Sequence, residues 1–157
     1  MQSSVIRAAR AILVLALLAA LEAPAEGARG RTQTMVIPFP RNGEVSVGLS
    51  NGPLTIRTVT LENRPDAGEV RDARSDRRDT KLLRWVFHVS NSGAHDWHAR
   101  VRVSVFDASG HRLGRNDRWA EVDARDFHDR VTVFTRIKTI VYPTADHVQV
   151  RADFYRY

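Results

Sequence analysis

The chain has 157 residues, 24 Lys and Arg against 18 Asp and Glu, a formal net charge of +6 and no cysteine. That length suits one domain with its own hydrophobic core rather than two. The missing thiols exclude disulfide staples, thiolate zinc centres, thiol nucleophiles and a lipidated processing cysteine, so the chain does not read as a lipoprotein.

Residues 1–25 read as a secretory signal peptide. Arg7 and Arg10 make a positive start, Ala11 to Leu21 is an unbroken apolar run, and Ala23-Pro24-Ala25 has the small-x-small pattern of a cleavage site. The run is shorter than the roughly 20 apolar residues of a spanning helix. The expected mature chain therefore starts at Glu26, is periplasmic or secreted, and is soluble with no transmembrane segment. Residues 26–31 are expected to form a mobile, basic leader, and residues 32–157 a single β-sandwich domain.

From Thr32 to Pro40, Met35, Ile37 and Phe39 alternate. Pro38 and Pro40 cannot donate to a ladder, so the pattern predicts an edge strand or no strand. Asn42-Gly43 is a hairpin turn signal. Val45, Val47 and Leu49 then alternate, and Asn51-Gly52 gives a second turn. In Pro53 to Glu62 the apolar phase slips between Ile56 and Val59, which predicts a bulge near Arg57–Thr58. Residues 63–80 alternate in charge sign with almost no large apolar side chain, and predict a solvated surface loop.

Lys81 to Ser90 sets Leu83, Trp85, Phe87 and Val89 on one face, with Arg84 and His88 opposite. Asn91-Ser92-Gly93 is turn chemistry. In Trp97 to Phe106, Trp97, Ala99, Val101, Val103 and Val105 alternate with His98, Arg100, Arg102 and Ser104. One face of that strand is apolar and the other largely basic. Asp107-Ala-Ser-Gly110 reverses the chain. His111 to Gly114 predicts a short piece, Arg118 to Arg125 a weaker strand with Trp119 and Val122, and Asp123 to Asp129 a turn capped by Asp123. Val131 to Thr139 alternates again, Tyr142-Pro143 turns, and Val148, Val150, Ala152 and Phe154 share a face of the last strand. Short alternating strands with turn signals between them predict an all-β fold, an antiparallel sandwich.

Asn91-Ser-Gly, a hydrophobic strand, then Val103-Ser-Val-Phe-Asp107 and Ala-Ser-Gly110 resemble the core motif of the small bacterial Ig-like domains called FxLYD. Val103, Val105 and Phe106 stand for the motif's Phe, Leu and Tyr, and Asp107 matches outright. Arg125-Asp-Phe-His-Asp129 replaces the family's Pro-Gly turn. The resemblance covers residues 81–155. It implies an Ig-like sandwich in an exported or cell-surface protein, with no catalytic residues to carry over.

Three constellations bear on function. If Lys81–Ser90 and Trp97–Phe106 pair as a hairpin, Arg84, His88, His98, Arg100 and Arg102 share one outer face, suited to an anionic glycan or an acidic protein partner in the envelope. His88, His95 and His98 form an alternative zinc or copper set. Glu121, Asp123, Asp126 and Asp129 are rich in carboxylates but lie on one turn, whereas glycoside hydrolysis needs two carboxylates across a cleft. There is no nucleophile elbow, no Gly-rich phosphate loop, no cofactor motif and no nucleic-acid module. The expected role is a non-catalytic envelope binding or accessory module. Metal binding through histidines is the alternative, and a small outer-membrane barrel or a hydrolase stands behind both.

Overall fold

In the computed structural model, residues 30–41, 43–62 and 80–156 are described. The expected signal peptide, residues 26–29 of the leader, Asn42 of the first turn signal and residues 63–79 of the charged loop lie outside them, and Arg31, expected in the mobile leader, instead opens the first strand. Among the described residues eight strands follow one another: β1 (Arg31–Pro38), β2 (Glu44–Asn51), β3 (Leu54–Glu62), β4 (Thr80–Asn91), β5 (Trp97–Asp107), β6 (Arg112–Val122), β7 (Asp129–Lys138) and β8 (Ala145–Tyr155). A 3-10 turn, Thr139–Thr144, joins β7 to β8. No helix among the described residues is long and apolar enough to cross a membrane.

The strands form two antiparallel four-stranded sheets, β1-β8-β5-β6 (the first sheet) and β2-β3-β4-β7 (the second). The period-two pattern explains both inner faces. Leu83, Trp85, Phe87 and Val89 of β4 meet Trp97, Ala99, Val101, Val103 and Val105 of β5 and the apolar set of β8 in one core. Each large side chain taken fully out of water there stabilises the fold by roughly 1.5–3 kcal/mol.

The β3 bulge lies where the phase slip put it. Pairing with β4 jumps from Ile56 opposite Val89 to Thr58 opposite His88, and Arg57 is left over. Asn51-Gly52 turns β2 into β3, with Gly52 at φ 57°. After β5, the Asp107 carbonyl accepts from the Gly110 N–H at 3.0 Å and Gly110 takes φ 82°.

Four further expectations are corrected. β1 is an edge strand paired only with β8, so β1 and β2 do not make a hairpin. The connection between them buries Phe39 against the rings of Trp85 and Tyr142 and so carries the chain from sheet to sheet. β6 is one continuous strand from Arg112 to Val122 rather than a short piece followed by a weak strand. It carries little apolar alternation because it is an edge, and only Val122 is buried in it. In the turn after it, the Asp126 N–H is accepted by the Asp123 backbone carbonyl, not by the carboxylate. Lastly, β4 and β5 belong to different sheets. Asn91, fully buried between them, bonds across the sandwich and not into a hairpin.

At one end β6 runs close against β7. A Cβ on Gly114 would sit 2.5 Å from the Arg136 carbonyl oxygen, and the Asn116 amide donates to the Phe134 carbonyl at 2.6 Å. At the other end the two strands diverge around a cleft of about 470 Å³ whose lining includes Trp119, Arg118 and Arg130.

Candidate functional site

The five residues expected on a single basic face divide between the two sides of the sandwich. Arg84 and His88 lie on the outer face of the second sheet, while His98, Arg100 and Arg102 lie on the outer face of the first. The hairpin that would unite them does not form, so they make no common site. The imidazoles divide the same way, His88 on one sheet and His98 on the other. No group of three or more His, Asp or Glu placed to hold a metal occurs among the described residues. His95 precedes β5, and its backbone carbonyl is taken by the Asn91 amide at 2.8 Å.

The first-sheet face is built in rows across the strands. Tyr155, His98 and Glu121 form one row, Asp153, Arg100 and Trp119 the next, Arg151, Arg102 and Asp117 a third, and Gln149, Ser104 and Arg115 a fourth. At the far end His147 lies opposite Phe106, their rings stacked at 5.3 Å and 9°. From Phe106 to Arg100 the strand covers about 20 Å.

Much of the positive charge on this face is already matched. Arg100 Nε donates to Asp117 Oδ2 at 2.7 Å. That hydrogen bond is the largest cause holding the Asp117 carboxyl below its ordinary range and raising the Arg100 guanidinium. Arg151 Nε donates to Asp153 Oδ1 at 3.1 Å, and the Thr32 hydroxyl donates to the same oxygen at 2.6 Å. Burial pushes Asp153 up, but the Thr32 and Arg151 hydrogen bonds and the nearby guanidinium charges outweigh it, and its carboxyl titrates below the ordinary range. Arg102, at the centre of the face, differs. Its Nε is buried without a partner, and its half-buried guanidinium makes no hydrogen bond among the described residues. It bears on Asp117 and Asp153 only through space.

Beside Arg102 lies an aromatic platform that the sequence pattern had placed in a weak strand. The Trp119 ring is 53% exposed, contacts the Tyr155 ring at 5.3 Å, and carries the Arg100 guanidinium 5.5 Å from its centroid. Exposure of a tryptophan on an edge strand was not predictable from alternation, because alternation fixes only which face a residue takes.

On the second sheet, Arg84 is matched by Glu62, its neighbour on β3, at 2.9 Å. His88 instead lines a cleft of about 260 Å³, together with Arg57 of the bulge, Arg130 opposite it on β7, and Phe127 and His128 from the β6–β7 turn. Arg57, Phe127, His128 and Arg130 were not singled out from the sequence. The Arg57 bulge was the one local signal pointing to them.

The β6–β7 turn that carries Phe127 and His128 is clamped from the β4–β5 connection. The Asn91 amide donates to the carbonyls of Val122 and Asp123 at 3.2 and 3.0 Å, the Arg125 N–H donates to the Gly93 carbonyl at 3.0 Å, and Asp96 accepts from the Ala124 N–H at 2.7 Å. Within the turn, Asp126 Oδ1 accepts from the His128 N–H at 2.8 Å and Asp129 Oδ1 from the Arg130 N–H at 2.6 Å, so these two carboxylates cap backbone.

No protein-family model matches the chain, and no curated protein matches it.

Proposed function

We propose that the chain is an exported, non-catalytic binding module of Ig-like form that works in the cell envelope and holds an acidic glycan on the outer face of the first sheet. The observation that carries this reading is Arg102. It is a half-buried guanidinium with no acceptor among the described residues, set between two arginine–carboxylate pairs and one strand away from the Trp119–Tyr155 rings. A guanidinium binds carboxylate or sulfate through paired N–H groups. An exposed indole offers a flat apolar surface on which the C–H face of a sugar ring packs. An acidic protein would be better served by a wide cationic surplus. Here two of the arginines are already paired to Asp117 and Asp153, leaving isolated charge beside rings, which favours a glycan.

The strand order supports the Ig-like assignment. β3-β4-β7 faces β6-β5-β8, with β4→β5, β6→β7 and β7→β8 each crossing between sheets. This parallels strands A-B-E against C′-C-F of immunoglobulin-type sandwiches, with β1 in the place beside F.

The test is calorimetric titration with oligogalacturonate, comparing the wild-type chain with Arg102→Gln and Trp119→Ala. Binding is expected in the wild type, weakening as salt screens the charge, and falling about tenfold in each variant, the loss of one charge-assisted or stacking contact. Charge reversal at Arg100 is the poorer probe, because a glutamate there would face Asp117. Absence of binding, or equal binding by both variants, overturns the proposal.

A further inference from the structure

We infer that the cleft on the opposite sheet is a second, separate ligand site that takes a tetrahedral oxyanion ester, a phosphate or sulfate monoester with a small organic group. Its floor and walls come from three neighbouring strands. Thr58, His88 and Arg130 stand in one row across β3, β4 and β7. The bulge then adds Arg57 to the same surface, because the extra residue is left out of the ladder and leans over β4, where its Nε donates to Ser90 Oγ at 3.1 Å.

That single bond leaves the four N–H groups on the two terminal nitrogens of Arg57 without an acceptor among the described residues. Among the described residues the Arg130 side chain and both imidazoles, His88 and His128, make no side-chain hydrogen bond either, and a neutral imidazole still has one N–H to give. Thr58 Oγ1, in the floor, is buried without a partner. Donors thus converge on about 260 Å³ of space with one carboxylate, Glu44 of β2, at its border. A surplus of unfilled donors around a small concavity is the complement of a many-lone-pair anion. Phe127, 48% exposed, lines the same cleft and gives the organic part of an ester an apolar flank. Its turn is held by the Asn91 clamp, so the wall is in place before any ligand arrives.

The glycan face of Arg102, Trp119 and Tyr155 uses no residue of this cleft, but Arg130 also lines the larger cleft beside Trp119, so Arg57→Gln is the variant that separates the two sites. The test is a nitrogen–proton correlation titration of the full chain with phenyl phosphate, phenyl sulfate, inorganic phosphate and, at matched ionic strength, sodium chloride. Saturable shifts are expected at residues 56–58, 88 and 127–130, tighter for the phenyl esters than for inorganic phosphate because of Phe127. The phosphate and sulfate arms tell which ester the site prefers. Arg130→Gln, which removes no hydrogen bond of the fold, is expected to weaken binding about tenfold, and Arg57→Gln likewise. Arg102→Gln is expected to leave the titration unchanged, even if it abolishes glycan binding. Shifts that rise linearly and match those of chloride, or binding that persists in Arg57→Gln and Arg130→Gln, overturn the inference.

Discussion

Asn91 ties the two sheets together, and its replacement gives a prediction whose size follows from the hydrogen bonds. Its two amide hydrogens serve three carbonyls, those of His95, Val122 and Asp123, at 2.8, 3.2 and 3.0 Å, and its Oδ1 accepts from the Gly93 N–H at 2.9 Å. The side chain is fully buried. Asn91→Ala removes two donors and one acceptor at about 1 kcal/mol each, and a carbonyl left dry adds about 1–3 kcal/mol. The expected loss is about 4–6 kcal/mol, a large part of the roughly 5–15 kcal/mol that holds a domain of this size. Asn91→Asp is expected to be worse at neutral pH, because it sets carboxylate lone pairs against three carbonyl oxygens where two donors had been. Protonation relieves that clash, so this variant alone should gain stability as the pH falls, the sign of a carboxyl whose pKa is raised in the folded state. Urea unfolding followed by tryptophan fluorescence reads both effects, since Trp85 and Trp97 are buried in the native core. A loss below about 1 kcal/mol for Asn91→Ala, or an Asn91→Asp variant no weaker than Asn91→Ala at pH 7, would refute the argument that this side chain carries the joint. The same variants should also blunt phenyl phosphate binding, because the clamp positions Phe127 and His128.

Thr135 is fully buried on the inner face of β7 with its hydroxyl unpartnered. Thr135→Val keeps the shape and removes the stranded polar group, so the melting temperature should rise by about 3 °C, equivalent to about 1 kcal/mol. A lower melting temperature would mean that the hydroxyl has a partner in solution. Gly114→Ala forces a methyl group to 2.5 Å from backbone oxygen, which cannot swing aside, so β6 and β7 must separate at about 1–3 kcal/mol. An unchanged urea midpoint would contradict that close approach. Asp107, held low chiefly by the His111 backbone N–H, and Asp117 and Asp153 all titrate below the ordinary carboxylate range. Each binds fewer protons folded than unfolded near pH 4, so its contribution is present above the ordinary value of about 3.9 and is lost as the pH falls through the lower folded values. Acid unfolding should steepen below about pH 4, and Asp153→Asn should flatten it. An identical acid limb in that variant would count against the assignment.

The local pattern was a good guide wherever a strand buries one face. β4, β5, β7 and β8 show their apolar residues at period two, and every residue so assigned to the interior of β5 is buried: Trp97, Ala99, Val101, Val103 and Val105. The β3 bulge was legible too, because a slip of one residue in phase has no other remedy that keeps Ile56 and Val59 both inside. β6 was obscured because only Val122 of this edge strand is buried, which leaves no hydrophobic period to read, and Trp119 on it could as well have been core.

What the sequence determined by itself is therefore the number of well-buried strands, their inner faces and the turns at Asn51-Gly52 and Asp107–Gly110. Which strands lie beside one another was decided only in three dimensions. Asn91-Ser-Gly suits a hairpin and a crossing between sheets equally well, since both need only a tight reversal with a side-chain cap. The outcome depends on Asn91 meeting Val122 and Asp123, some thirty residues away. That long-range contact sends β4 and β5 to opposite sheets, separates Arg84 and His88 from His98, Arg100 and Arg102, and brings His88 instead to Arg57 and Arg130. Side-chain direction is a local property fixed by the pleat, whereas adjacency is the result of closing loops on a shared core, and a candidate site needs both.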